Sequence, residues 1–243
     1  MLNNRKWVYD TCNISPVIRE ELLMPASEAD MHEPDEKNLL KTVYLLQLRR
    51  PFLARIEFEE RTGMDPTTSK DLLRRLVERG LLEQRKEGEC SLAPQGRAKL
   101  RVVLAGGVYD ILHLGHLAAL SEAKTYGDVL VVVVATDITV ETLKGRRPVF
   151  PEEDRRALVE SLKPVDAAIL GYEDVGMGYE QVIDDVKPDI IALGYDQDSL
   201  AHTIGQLVRR RNLKLEVIRL SKFDREKYLS SSAIRQRFLQ EPK

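Results

Sequence analysis

Gly106-Gly107-Val108-Tyr109-Asp110-Ile111-Leu112-His113-Leu114-Gly115-His116 decides how the rest of this chain is read. An apolar run at residues 102–105 comes directly before it, and a helical pattern at residues 117–124 directly after. Strand, glycine turn and helix start gather backbone N–H groups into a pocket suited to phosphate. Two histidines three residues apart in such a pocket point to chemistry on the phosphate. Downstream, strands alternate with helices. Strands are expected at 101–105, 129–135, 167–170, 190–193 and 215–220. Helices are expected up to about residue 126 and at 151–162, 179–186, 200–211 and 231–239. This order predicts an α/β fold, a doubly wound five-stranded parallel sheet whose ligands bind at the carboxyl ends of the strands.

The bulk properties set limits on what that fold can do. With 243 residues, 43% of them hydrophobic and 31% charged, the chain has the profile of a soluble protein of one or two domains. Its apolar runs fall short of the roughly 20 residues a membrane span requires, and residues 1–7 lead into no apolar signal core. Cys12 and Cys90 are too few for a disulfide framework or a tetrahedral metal site of their own. A reducing cytoplasm is the expected location. Charge is unevenly spread: residues 1–36 hold 3 basic and 8 acidic side chains, whereas residues 37–100 hold 14 and 9. The first segment, an acidic extension with prolines and no sustained period, stays unassigned.

Residues 37–100 read as a small helical domain. Leu39, Val43 and Leu46 run beside Leu40, Tyr44 and Leu48 at helical spacing. A second helix is expected near 53–61, ended by Gly63. A third, at 67–80, carries Leu72, Leu73, Leu76 and Val77 on one side and Lys70, Arg74 and Arg75 largely on the other. A hairpin at 81–92 and a short helix at 94–100 complete the unit. Helix, helix-turn-helix and hairpin together resemble a winged helix-turn-helix domain, in which Lys70, Arg74 and Arg75 are the DNA-binding candidates. Residues 101–243 form the second domain.

Three further groups join the histidine loop. Leu143-Lys144-Gly145-Arg146-Arg147-Pro148-Val149 follows the second strand and Asp137, and its cations suit phosphate oxygens. Arg155 and Arg156 stand one helix start later. Gly194-Tyr195-Asp196-Gln197 follows the fourth strand, where glycine permits close backbone approach to a nucleotide. Ser230-Ser231-Ser232-Ala233-Ile234-Arg235 places hydroxyls and an arginine at a helix start, an odd position for a cation unless an anion is near. Each group has a plainer reading as well: capping or core histidines, a solvated basic loop, serines that cap a helix. Zinc lacks a third ligand nearby, and a serine hydrolase lacks the G-x-S-x-G elbow.

Taken together, residues 101–239 resemble the cytidylyltransferase-like nucleotidyltransferases. They carry that family's G-x-aromatic-D-x-x-H-x-G-H, a central basic loop, a G-x-D segment and a closing S-S-S-x-I-R. Residues 139–171 and 187–194 look most like archaeal FAD synthases, which transfer AMP from ATP to FMN and release pyrophosphate. Relatives that use CTP and glycerol 3-phosphate are similar too. The resemblance implies catalytic roles for His113, His116, Lys144 and Arg235. It implies nucleotide contacts from Gly107, Val108, Tyr109, Asp110, Gly115, Asp137, Arg146, Arg155, Gly194, Asp196, Ser230, Ser231 and Ser232. It also implies Mg²⁺, with Asp110 as a candidate ligand. Val108 stands where the family usually has threonine, and Tyr109 where it usually has phenylalanine. Three readings follow: FMN adenylyltransferase, CTP-dependent cytidylyltransferase, or a DNA-binding regulator whose second domain senses a nucleotide or flavin. No membrane partner is expected, and the expected assemblies include a homodimer.

Overall fold

The computed structural model describes residues 35–48, 52–86, 88–174 and 177–223, together with Ile234. Glu36–Lys243 forms one compact unit. It begins with helix α1 (Glu36–Gln47), strand β1 (Leu53–Ala54) and helices α2 (Arg55–Thr62) and α3 (Pro66–Glu78). Strands β2 (Leu82–Lys86) and β3 (Glu89–Leu92) and the short helix α4 (Pro94–Arg97) follow. Leu53 and Ala54, expected to open a helix, instead pair antiparallel with Cys90 and Glu89, giving a three-stranded sheet in the order β1-β3-β2. Leu53 is fully buried there, so burial against β3 overrides two residues of helical pattern. Capping sets the flanking helices. Gly63 closes α2 in the left-handed region at φ 70°. Asp65 opens α3 by accepting the N–H groups of Thr67 and Thr68.

The larger sheet contains β4 (Val102–Gly107), β5 (Val129–Val134), β6 (Ala167–Leu170), β7 (Ile190–Leu193) and β8 (Glu216–Arg219). All neighbours are parallel, in the order β6-β5-β4-β7-β8. Helices α5 (Leu114–Lys124), α6 (Asp137–Lys144), α7 (Glu152–Glu160), α8 (Gly178–Val186) and α9 (Asp198–Arg210) lie between the strands in sequence. Alternate residues of each strand enter opposite cores, as the pleat requires. Val103, Ala105, Leu130 and Val132 pack with Leu120 and Ala123 of α5 and Val159 of α7. Val102, Leu104, Val129 and Val131 pack with Val182 and Ile183 of α8 and Ile204 and Leu207 of α9. That second core runs on without a break into Leu39, Leu40, Val43 and Tyr44 of α1.

Three aspartates make the join between residues 36–100 and the sheet. Asp128, Asp166 and Asp189 each stand one residue before a strand. Their carboxylates accept the N–H groups of Arg101 (2.8 Å), Leu130 (2.7 Å) and Val102 (2.7 Å), the first donors of neighbouring strands. Each also meets a cation from residues 36–100: Lys37 at 2.6 Å, Lys41 at 2.5 Å and Arg97 at 2.9 Å. The Tyr44 hydroxyl adds a buried bond to the Val186 carbonyl at 2.8 Å. The amino ends of the strands are thereby fixed, and the carboxyl ends are left for ligand.

Two boundaries differ from expectation in ways that matter at those carboxyl ends. β4 runs through Gly106 and Gly107, whose partners Val133 and Val134 keep them in the ladder, so the turn begins only at Val108. The basic loop is also shorter than it reads. Asp137–Lys144 is a helix, opened by the Thr136 hydroxyl on the Thr139 N–H and closed by Gly145 at φ 64°. The helix expected at 231–239 lies outside the described residues apart from Ile234.

Candidate active site

β4 is the central strand, and the turn at its carboxyl end carries the histidines. His113 is the N-cap of α5, its Nδ1 accepting the Gly115 N–H at 3.1 Å. That bond leaves the ring proton of the neutral form on Nε2, free to donate outward. His116 lies in the first turn of α5, and the two rings stack with centroids 3.9 Å apart. Tyr109 meets His116 edge-on at 5.2 Å. Tyr109 is buried and adopts φ 53°, a left-handed conformation costly for an aromatic residue. Its ring folds back over Gly107, where a Cβ would come within 2.9 Å of it. Glycine at 107 is therefore needed for the ring that supports His116.

Burial lowers the His113 pKa. Burial, with the charges of His113 and Lys144 beside it, takes His116 down to about 4. Both rings are neutral at pH 7 and act as hydrogen-bonding groups. Among the described residues, His116 Nδ1 is buried with no partner. A buried polar atom without a partner is rare and costly. Lys144, the last residue of α6, is exposed, with its charge close enough to resist protonation of His116.

Asp110 holds the basic loop. Its Oδ1 accepts the Val149 N–H at 2.5 Å and the Phe150 N–H at 3.4 Å, and its Oδ2 pairs with Arg146 Nη1 at 3.4 Å. The carboxylate is 4% exposed. Both oxygens are engaged, which is a poor fit to the expected metal ligand. Among the described residues no three His, Cys, Asp or Glu side chains gather into a metal cluster.

Arg155 also departs from expectation. Rather than reaching a phosphate, its guanidinium is fully buried and donates to the Val108 carbonyl (2.5 Å), the Phe150 carbonyl (2.9 Å) and Asp137 Oδ1 (2.6 Å). Asp137 gives one carboxylate oxygen to Arg155, and its side chain is 38% exposed. Arg156 pairs with Glu153 and Glu160 of its own helix.

On the other side of β4, Gln197 spans the point where the strand order reverses. Its Oε1 accepts the Gly194 N–H at 2.7 Å and its Nε2 donates to the Gly106 carbonyl at 3.2 Å. Arg219 Nη1 holds the Gly194 and Tyr195 carbonyls, both at 3.2 Å. Asp196 is exposed beside them. The sequence names the Gly194 turn but not its two supports, because a glutamine three residues on and an arginine on the last strand carry no motif. Ser230, Ser231, Ser232 and Arg235 lie outside the described residues. Lys70, Arg74 and Arg75 are exposed on α3, away from this turn in sequence and element, and Arg74 is paired with Glu78 at 2.9 Å and Asp71 at 3.5 Å.

The turn with its stacked histidine pair sits inside residues 104–237, and these match the family model described as Cytidylyltransferase-like. The chain belongs to the cytidylyltransferase-like family. Within it, the chain is 51% identical over 121 residues to a protein of Aciduliprofundum boonei named FAD synthase, covering 50% of this chain and 78% of that one. It is 44% identical over 138 residues to the FAD synthase of Thermoplasma volcanium, covering 57% and 94% respectively. Among solved structures it is similar to the one titled as the lipopolysaccharide core biosynthesis protein of Thermoplasma volcanium. That similarity is 44% identity over 51% of this chain and 99% of that one, with a TM-score of 0.48. These cytidylyltransferase-like relatives match about half of the chain. Among the described residues no helix is long and apolar enough to cross a membrane.

Proposed function

We propose that this chain is an FAD synthase, transferring AMP from ATP to FMN with release of pyrophosphate. The observation that carries this reading is the 44% identity across 94% of the Thermoplasma volcanium FAD synthase. The neutral, stacked histidine pair on the central strand's turn supports it. A phosphate oxygen of FMN attacks the α-phosphorus of ATP. A new P–O bond forms as the bond from the α-phosphorus to the bridging oxygen breaks, and its electron pair leaves with pyrophosphate. The protein's part is positioning and charge stabilisation.

His113 Nε2–H donates to a phosphate oxygen, and His116 gains from the nucleotide the partner that its buried ring nitrogen lacks. Lys144 and Arg146 add positive charge as the pentacoordinate phosphorus forms. Ser230, Ser231, Ser232 and Arg235 receive the departing pyrophosphate. Mg²⁺ supplies further charge neutralisation when bound. An ion of this kind would take ligands from substrate phosphates and water.

The test is pyrophosphate release from the full chain with Mg²⁺ and either ATP or CTP, offered FMN or glycerol 3-phosphate. Release with ATP and FMN is expected. Release only with CTP would overturn the reading in favour of a cytidylyltransferase.

A further inference from the structure

Arg155 is a fully buried charged side chain that the proposed chemistry leaves without a task. Burying a guanidinium is costly unless every donor finds an acceptor in good geometry. Here Nε, Nη1 and Nη2 each find one, on three different segments: the Phe150 carbonyl before α7, the Val108 carbonyl after β4, and the Asp137 carboxylate at the start of α6. A hydrophobic side chain of similar volume would be the cheaper way to fill that space. The retention of a cation with three directed bonds therefore points to alignment of the segments it joins.

The same peptides are held from the other side. Asp110, two residues beyond Val108, accepts the N–H groups of Val149 and Phe150 and pairs with Arg146. Glu152, on the helix that carries Arg155, accepts the Asp137 N–H at 2.6 Å. The turn at 108–110, the start of α6 and the segment 146–150 thus form a closed ring of bonds with Arg155 at its centre. None of these bonds touches the histidine rings. The ring instead sets where Lys144 and Arg146 stand relative to them.

We propose that Arg155 is the positioning residue of this site: it locks the histidine turn and the basic loop into one register, so that both sets of groups meet the same triphosphate. The assignment rests on the adenylyl-transfer reading for its kinetic consequence alone. It also accounts for Val108. Arg155 grips the backbone carbonyl at 108, so the turn is fixed there whichever side chain the position carries. Lysine cannot substitute, since a single ammonium on a flexible stem lacks the planar fork that spans three acceptors.

The test compares the full chain with Arg155→Lys and Asp137→Asn. It uses backbone hydrogen exchange resolved to segments, together with pyrophosphate release from ATP and FMN. In Arg155→Lys, exchange is expected to quicken at 108–112 and 145–151 while β5 and β7 keep their protection. The kcat is expected to fall by about 10²-fold with a smaller change in KM, the scale of a misplacement near 1 Å. Asp137→Asn, which weakens one arm only, changes both readouts in the same direction by less. Unchanged exchange in the two loops of a folded Arg155→Lys protein overturns the proposal. So does exchange that quickens equally in β5 and β7, which would make Arg155 a residue of the general fold. If Arg155→Lys does not fold, Asp137→Asn decides by the same two loops. If the unaltered chain releases no pyrophosphate from ATP and FMN, the adenylyl-transfer reading fails while exchange still judges the lock.

Discussion

His116 combines two properties that pull on its protonation in opposite directions. Burial, with repulsion from His113 once that ring is protonated and from Lys144, keeps the ring neutral, with a pKa near 4, whereas a bound triphosphate would favour the charged form. In the ligand-free protein, an NMR pH titration should find His116 titrating near 4, well below the ordinary value of 6.5. Addition of ATP should move that midpoint upward; a midpoint that stays put would place the triphosphate elsewhere. The sign for stability follows from the same shift. The folded value lies below the unfolded one, so the unfolded chain binds the proton first. Acidification from 6.5 towards 4 therefore costs stability at this residue, and above 6.5 it has no effect. His116→Ala removes the group without touching the strand beneath it. Turnover should drop about 10²–10³-fold while circular dichroism stays that of the folded protein. Near-normal turnover would remove the histidines from the mechanism.

At the scale of elements, what the sequence makes legible is whatever one local pattern controls. Strands β6 and β7 fall where their continuous apolar runs put them, at Ala167–Leu170 and Ile190–Leu193. Helix α6 is the element that escapes, for a physical reason. It has eight residues with a single fully buried contact, Val140, so it shows almost no periodicity, and the basic run after it reads as loop. Its signals are at its ends instead, in Thr136 as N-cap and Gly145 beyond Lys144. The site divides in the same way. The histidine motif and the Gly194 turn can be read locally. The roles of Asp110 and Arg155 cannot, because each is fixed by partners distant in the chain: Asp110 by positions 149 and 150, 39 and 40 residues away, and Arg155 by positions 108 and 137, 47 and 18 residues away. Gly145 offers a direct check on α6. A Cβ there would meet nothing within 4 Å, yet φ is +64°, so Gly145→Ala introduces backbone strain and no clash. Stability should fall by about 1–2 kcal/mol, read as a shift in the denaturation midpoint. A loss well beyond that range would mean that residue 145 carries contacts besides its cap.

For the whole molecule, the three strand-start aspartates bind residues 36–100 to the sheet as parts of one fold. The most enclosed of the three pairs is Asp166, 13% exposed, which meets Lys41 and also Lys124 while accepting the Leu130 N–H. The two ends of that network are unequal. Lys41→Met removes one of two cations and leaves Asp166 with Lys124 and its backbone donor. Asp166→Ala takes the carboxylate from two part-buried ammonium groups and the acceptor from a strand N–H, leaving Lys124 only the Asp128 carbonyl. Removing one partner of a buried pair costs about 3–5 kcal/mol, so Asp166→Ala should lose an amount of that order and Lys41→Met clearly less. If residues 36–100 and the sheet are one cooperative unit, both variants should unfold in a single transition. Calorimetry and near-ultraviolet circular dichroism should then give the same lowered midpoint. Asp128 adds a pH signature to the same seam. Burial alone would raise its carboxyl, but the Lys37 pair, the Arg101 N–H and Lys124 outweigh that and hold it below the usual range. Its contribution is accordingly present at neutral pH and lost as acid carries the protein down through the lowered value. Lys37→Met should flatten that acid limb in a plot of melting temperature against pH. Two separate transitions, with only the one assigned to residues 36–100 moving in these variants, would show instead that the aspartates hold two independent bodies side by side.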